Sequence, residues 1–558
     1  MPFTKLDRSR LPPQVMSARL WLMATLVVVL IYSIPMVQDA FSAADVVQDD
    51  ARQHVFWMQR FLDPGLFPND LIADYFQSVA PPGYAGLYWL AAKLGIPPLL
   101  FHKLLPLPLM LLTARLCFTL TLRLVANPIA AAIASLLLAQ GLGLTDAIVS
   151  ATPKAFIYPL LLALLYTLAR GWRWGTAAVI GLQGLFYPQL VLISVVLLLL
   201  RWVDWQRWRL TPRYSYTAAL GLGVAIAVLL PYALQSDGYG PTLTLAEARL
   251  LPEMSLPGSR ARFFYDDPAA YWLQGRSGLR LATALTPVTN GLGLLLPFII
   301  WRSRSPLLKS QSLALLPQLV VASLVMFFAA HLLLFRLHLP SRYTQHSFRV
   351  VLSIAAAIAI VALIDSGWRW AHLLWQRGLV LALTGILAIS VLLYPLWTGG
   401  PVTAYQVGQA TALYGFLRQQ PQDIMIASLS SEANNLPSFT GRSILVGSEY
   451  AIPYHTGYYG QIRDRARRLI EAHYSSDPDV LLQFVRDYGV THWLLDGNAF
   501  KPRYRQNNLL LQMFPEFAIA AEATDRPALQ RSLSQNDACV VFRHQRQVVL
   551  DAVCLLGQ

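Results

Sequence analysis

Apolar stretches long enough to enter a bilayer recur through the first 397 residues, and this pattern sets the fold class before any motif is considered. A span needs roughly 20 apolar residues, fewer where neighbouring helices shield it. Stretches at 19–37, 98–123, 128–144, 155–169, 215–234, 286–301, 312–335, 347–364 and 377–397 qualify. Charged residues are only 13% of the 558, against about 25% in soluble domains. An ordinary cytosolic enzyme and a disordered chain are both excluded. The first stretch is read as a retained signal-anchor, because many spans follow it.

The segment 174–201 reads as a hairpin of two short helices rather than one long span. Phe186-Tyr187-Pro188-Gln189 breaks its middle, since proline disfavours helical geometry in the residue before it. Both ends carry Trp and Arg, as interfacial belts do. With the hairpin the count is eleven spans, N-terminus cytoplasmic and C-terminus outside. Charge agrees: the expected cytoplasmic segments hold 16 Lys and Arg but only Asp7, Asp204 and Asp365, as the positive-inside rule requires. The whole +14 excess lies before residue 398, because residues 398–558 carry 14 basic and 14 acidic side chains. A basic stripe on a soluble face, the mark of nucleic-acid binding, is absent from the sequence.

The chain therefore divides into residues 1–397, an all-α polytopic membrane domain with a first outer loop at 38–97 and another at 235–285, and residues 398–558, an extracytoplasmic α/β domain. In the second part, 424–427, 443–446 and 490–495 read as strands, 462–473 and 478–488 as helices, and 539–553 as a hairpin. Three cysteines are too few for a disulfide framework or a zinc cluster. Cys539 and Cys554 would pair in an oxidising compartment if the fold brings them together.

Chemistry concentrates in two places. Asp49-Asp50-Ala51-Arg52, with His54, lies just past the first span. An ionised Asp there can take a proton from a hydroxyl or ligate a divalent cation, and Arg52 can hold a carboxylate or a phosphate; ordinary solvated charges are the bland alternative. The second group is 331–349, with Arg342, Tyr343 and Arg349 between two apolar spans. Guanidinium groups suit two-point phosphate contacts, although arginines near a membrane also snorkel to headgroups. Lys154 opens a span as a phosphate contact or a helix-end anchor. Asp70 and Asp74 offer a second carboxylate or cap a turn, and His455 binds an acceptor or packs. The sequence contains no P-loop, HExxH or GxGxxG before a helix.

Eleven spans, the acidic first outer loop and the outside C-terminal domain together resemble the GT-C glycosyltransferases, among them protein O-mannosyltransferases and aminoarabinose transferases. Asp49-Asp50-Ala51-Arg52 is similar to the acidic pair of that superfamily's first loop. Pro81-Pro82-Gly83-Tyr84, the hairpin at Phe186-Tyr187-Pro188 and Leu339-Pro340-Ser341-Arg342-Tyr343-Thr344 look like further shared segments. The hairpin departs from some relatives in lacking Lys-Gly-Pro at its turn.

The resemblance implies transfer of a sugar from a polyprenyl-phosphate donor to an acceptor hydroxyl at the outer face of a cell membrane, expected to be a bacterial one. Asp49 would be the general base and Asp50 its partner or a ligand for Mg or Mn; either carboxylate remains open as the base. Arg52, Lys154, Arg342 and Arg349 would hold the phosphate, with His54, Asp70, Asp74, Tyr343 and His455 around the acceptor. No tightly held cofactor is implied. A transporter, a lipid carrier or a catalytically dead scaffold of the same fold are the alternatives. Transporters often show internal repeats, and this sequence shows none.

Overall fold

The structure, a computed structural model, describes residues 13–556 apart from 205–208, 235–237, 258, 260–261, 265–266, 274–275, 280–286, 303–309, 335, 399, 522–526 and 536. It is mostly helical, with a small sheet near the C-terminus. Every apolar stretch read from the sequence is mainly helical in its described part, including the two arms of the hairpin, Arg173–Phe186 and Gln189–Trp202. The stretch at 286–301 starts on a residue outside the described set, and the loop 235–285 is described only in part. Among the described residues, six helices are long and apolar enough to cross a membrane: Ala18–Ala40, Pro98–Val125, Tyr214–Leu234, Ser312–Leu332, Ser341–Trp370 and Leu374–Trp397.

Local chemistry sets the helix ends. Asn127 caps Pro128–Gly143 by accepting from the Ala130 amide at 2.9 Å, with proline in the first position. Gly171, at φ +71°, ends Ile157–Arg170 in the left-handed conformation. In the hairpin, Ser194 Oγ donates to Gln183 Oε1 at 2.6 Å, pairing two polar groups that lipid could not satisfy.

Ser341–Trp370 is the central helix. Its apolar window is 78% buried, against 22% for Ala18–Ala40 and 17% for Leu374–Trp397, which lie at the periphery. It starts six residues earlier than the apolar pattern indicates. Arg342 and Tyr343 therefore sit in a first helical turn rather than in a loop, because Pro340 precedes the helix and the polar side chains of this turn face protein.

The first loop folds onto the C-terminal part. Val46–Gln48 pairs antiparallel with Tyr405–Val407, and Tyr75 stacks on Tyr458 with ring centroids 3.6 Å apart. Beyond them lies a five-stranded mixed sheet. From one edge its strands are Ser443–Ile444, Met425–Ser428, His492–Asp496, Gln547–Asp551 and Val540–His544. The first three run parallel and the last two form an antiparallel hairpin. Thr456–Tyr474 and Pro478–Tyr488 are the longest helices of this α/β region among the described residues. Cys539 and Cys554 are disulfide-bonded, with Cα atoms 5.6 Å apart.

Candidate active site

Asp49 and Asp50 sit in the turn between the strand Val46–Gln48 and the short helix Ala51–His54. The turn is fixed from three directions. The Asp49 amide donates to the Ala404 carbonyl at 3.0 Å, the Asp50 amide to Gln48 Oε1 at 2.9 Å, and Gln406 Nε2 to Asp49 Oδ1 at 3.2 Å.

The two carboxylates take different cations. Asp49 is ion-paired with Arg52. Arg52 in turn contacts Glu449 at 2.7 Å and donates to Asn435 Oδ1 at 3.0 Å, both in the C-terminal part. Gln53 Nε2 adds a 2.9 Å bond to Glu449 Oε1. Arg52 is therefore a buried strut between the first loop and the tail. Asp50 is ion-paired with Lys154, and the same ammonium contacts Asp146 Oδ2 at 2.6 Å. Burial alone lowers the Lys154 pKa, but Asp50 and Asp146 outweigh it and raise it above the ordinary value, so the group is a fixed cation.

Arg342 completes this cluster, within electrostatic reach of Asp50, Asp146, Tyr187 and Tyr454. Its Nε is buried and, among the described residues, has no hydrogen-bond partner. His338 lies beside it; burial, then Arg342 and His455, push that imidazole down to about 3, so it stays neutral. Arg349 is one step deeper and donates from Nη1 to Tyr158 Oη at 2.8 Å and Thr145 Oγ1 at 3.3 Å. His346 Nδ1 shares the Tyr158 hydroxyl at 3.0 Å.

The remaining residues singled out in the sequence make contacts of their own outside this cluster. Asp70 caps the helix Leu71–Ser78, accepting from Ile72 and Ala73 amides at 2.8 and 2.9 Å. Asp74 pairs with Arg60 at 2.7 Å. His54 packs edge-on to Phe76, and the Tyr343 hydroxyl donates to the Leu337 carbonyl. His455 Nδ1 is 2.9 Å from Tyr75 Oη. Asp146 and Glu449 were not singled out. Asp146 had a usable signal, an acid in the short loop before Lys154; Glu449 had none in its own surroundings.

Two carboxylates and two cations at one end of a helical bundle can bind a phosphate and accept a proton. Asp50 and Asp146 converge on the Lys154 ammonium. Among the described residues, no three His, Cys, Asp or Glu side chains form a group that could hold a metal ion. This donor set does not fit a cation held by the protein alone.

No protein-family model matches the sequence, and no curated protein matches it. Solved structures do match in three dimensions. The archaeal oligosaccharyltransferase AglB from Archaeoglobus fulgidus, in complex with an inhibitory peptide and a dolichol-phosphate, aligns with a TM-score of 0.56 and 12% identity, over 90% of this chain and 72% of its own. ArnT from Cupriavidus metallidurans aligns with a TM-score of 0.51 and 15% identity, over 98% and 100%. The arabinofuranosyltransferase AftD from Mycobacteria aligns with a TM-score of 0.51 and 14% identity, over 88% of this chain and 37% of its own. At these identities the likeness is one of fold.

Proposed function

We propose that this chain, which has the GT-C fold of those three proteins, is a membrane glycosyltransferase that moves a sugar from a polyprenyl-phosphate donor to an acceptor hydroxyl. The observation that carries this reading is the buried Nε of Arg342, without a hydrogen-bond partner among the described residues, in a guanidinium within electrostatic reach of Lys154 and Asp50. A guanidinium with an unused donor at the end of a membrane bundle suits a lipid-borne phosphate. The dolichol-phosphate in the AglB complex supports the same donor class.

In the reaction the acceptor oxygen bonds to the anomeric carbon as the bond from that carbon to the phosphate oxygen breaks. The bonding pair leaves with the phosphate, and the hydroxyl proton passes to a carboxylate. Lys154 and Arg342 meet the charge that grows on the phosphate, where fixed cations act most strongly. Asp50 is the better placed base. Its counter-ion is shared with Asp146 and can turn to an arriving phosphate, which leaves the carboxylate to take the proton. Arg52 is held by Glu449 and Asn435, so Asp49 keeps its partner and positions the loop. Arg349 supports Tyr158 and Thr145 beneath the phosphate. Lys154 occupies the space between the carboxylates, so no step is assigned to a metal.

The topology that goes with this reading has eleven crossings, a cytoplasmic N-terminus and the active end outside. The charge asymmetry supports it, as does the disulfide Cys539–Cys554, since such bonds persist in oxidising compartments. The test uses purified protein in nanodiscs with a polyprenyl-phosphate sugar. Sugar transfer and release of polyprenyl phosphate are expected from wild type and lost in Asp50→Asn. Absence of lipid-phosphate binding by wild type would remove the reading.

A further inference from the structure

His338, just before the helix that Arg342 opens, sits at φ +64°, in the left-handed region that glycine favours and side chains rarely enter. The turn is clamped on both sides. The Tyr343 hydroxyl donates to the Leu337 carbonyl, and the Arg342 amide donates to the Leu339 carbonyl at 3.0 Å. Glycine would serve if only the turn mattered. A side chain kept in this conformation points to a use for that side chain.

The imidazole is half-buried rather than enclosed, and among the described residues neither ring nitrogen has a hydrogen-bond partner. Being neutral, it offers one donor and one acceptor. Its ring meets the half-buried Tyr454 ring edge-on, with centroids 5.9 Å apart. Tyr454 belongs to the tail, and its carbonyl accepts from the Leu243 amide of the outer loop at 3.1 Å. Arg342 is within electrostatic reach of both side chains.

These groups follow one another along the bundle. Arg349 lies two turns into the helix Ser341–Trp370, Arg342 is in its first turn, and His338 precedes it. In a polyprenyl-phosphate sugar the phosphate likewise stands between lipid and sugar. With the phosphate on Arg342 and the lipid on the bilayer side, the sugar extends towards His338 and Tyr454.

We propose that His338 and Tyr454 form the subsite for the donor's sugar, and that this sugar carries hydroxyls but no amino group. This rests on the glycosyltransferase reading and names its sugar class. A phenol ring and a neutral imidazole suit the C–H face and the hydroxyls of a sugar. Among the described residues, the charged or titratable groups that face His338 are Arg342 and His455, with no carboxylate. An ammonium on the sugar would meet the same repulsion and desolvation that keep the imidazole unprotonated.

The experiment uses the full chain in nanodiscs. It measures binding of decaprenyl phosphate, bare or carrying glucose, mannose or arabinose, and of the glucosamine, mannosamine and aminoarabinose counterparts. At least one neutral sugar should tighten binding over bare lipid, by roughly 2- to 12-fold for each hydrogen bond gained, and its amino counterpart should lose that gain. His338→Gly removes the imidazole but suits the backbone, so it should fold, bind bare lipid within about twofold of wild type, and lose the sugar gain. Tyr454→Leu should lose part of it. His338→Asp puts a carboxylate there, on a residue type that also enters the left-handed region, and should turn the preference towards the amino sugar, which a purely structural histidine would not do. A sugar gain unchanged in His338→Gly, no gain for any sugar in wild type, or an amino sugar bound as tightly as its neutral counterpart would overturn the proposal and leave the glycosyltransferase reading standing. Failure of bare decaprenyl phosphate to bind wild type would instead sink that reading, and the subsite with it.

Discussion

Arg52 and Glu449, 397 positions apart in the chain, meet at 2.7 Å and are both buried. Removing one partner of a buried pair typically costs about 3–5 kcal/mol, because the other charge is left uncompensated. Arg52→Ala should therefore lower the melting temperature, since it takes the cation from Glu449 and Asp49 alike, and Glu449→Ala added to it should recover part of the loss. A thermal double-mutant cycle measures this; additive losses would show that the two side chains are not coupled.

The two carboxylates should separate on mutation. Asp50→Asn removes the proposed base and should slow transfer about 10²–10⁴-fold while leaving donor binding largely intact. Asp49→Asn should act mainly on stability and cost less in rate. Single-turnover transfer with preloaded donor distinguishes them, and the reverse ranking would move the base to Asp49.

Arg342→Ala should weaken polyprenyl-phosphate binding roughly 10- to 150-fold, the equivalent of a charged hydrogen bond of about 1.5–3 kcal/mol. Arg342→Lys should restore only part, since an ammonium lacks the planar two-point contact. Equal donor affinity in wild type and both variants would take Arg342 out of the site.

Transfer should survive chelation. Lys154 neutralises Asp50 and Asp146 in place of a divalent cation, so EDTA should leave the rate within about twofold of wild type. A loss reversed by Mg²⁺ would show that a metal joins these carboxylates.

Burial raises the Glu253 carboxyl to about 7, where it accepts a hydrogen bond from the Tyr459 hydroxyl. Between pH 4.5, its ordinary value, and 7 the unfolded chain gives up a proton that the folded chain keeps. Stability should thus fall as pH rises through this window and level off above it. Glu253→Gln should flatten that part of the melting profile relative to wild type.

Much of this was legible in the sequence because bilayer crossing depends on local composition. The helices follow from apolar length, and the hairpin from the Phe186-Tyr187-Pro188 break. Asp50, Lys154 and Arg342 stood out as charges beside apolar spans, and the structure brings them into one cluster. The start of the helix at Ser341 was hidden because its polar first turns resemble a loop until the protein around them is known. Glu449 was hidden because its partners, Arg52 and Gln53, belong to a loop at the other end of the chain.

The strand pair Val46–Gln48 with Tyr405–Val407 also has a consequence for biogenesis. The acidic turn is made early in synthesis, but the strand that holds it is made after all the membrane helices. Until residue 407 has been translated and moved to the same side the Asp49 amide has no Ala404 carbonyl, and Arg52 waits longer still, until residue 449, for Glu449. A nascent or prematurely terminated chain can insert its helices and still lack an ordered acidic turn, so the finished tail acts as a late licence for activity.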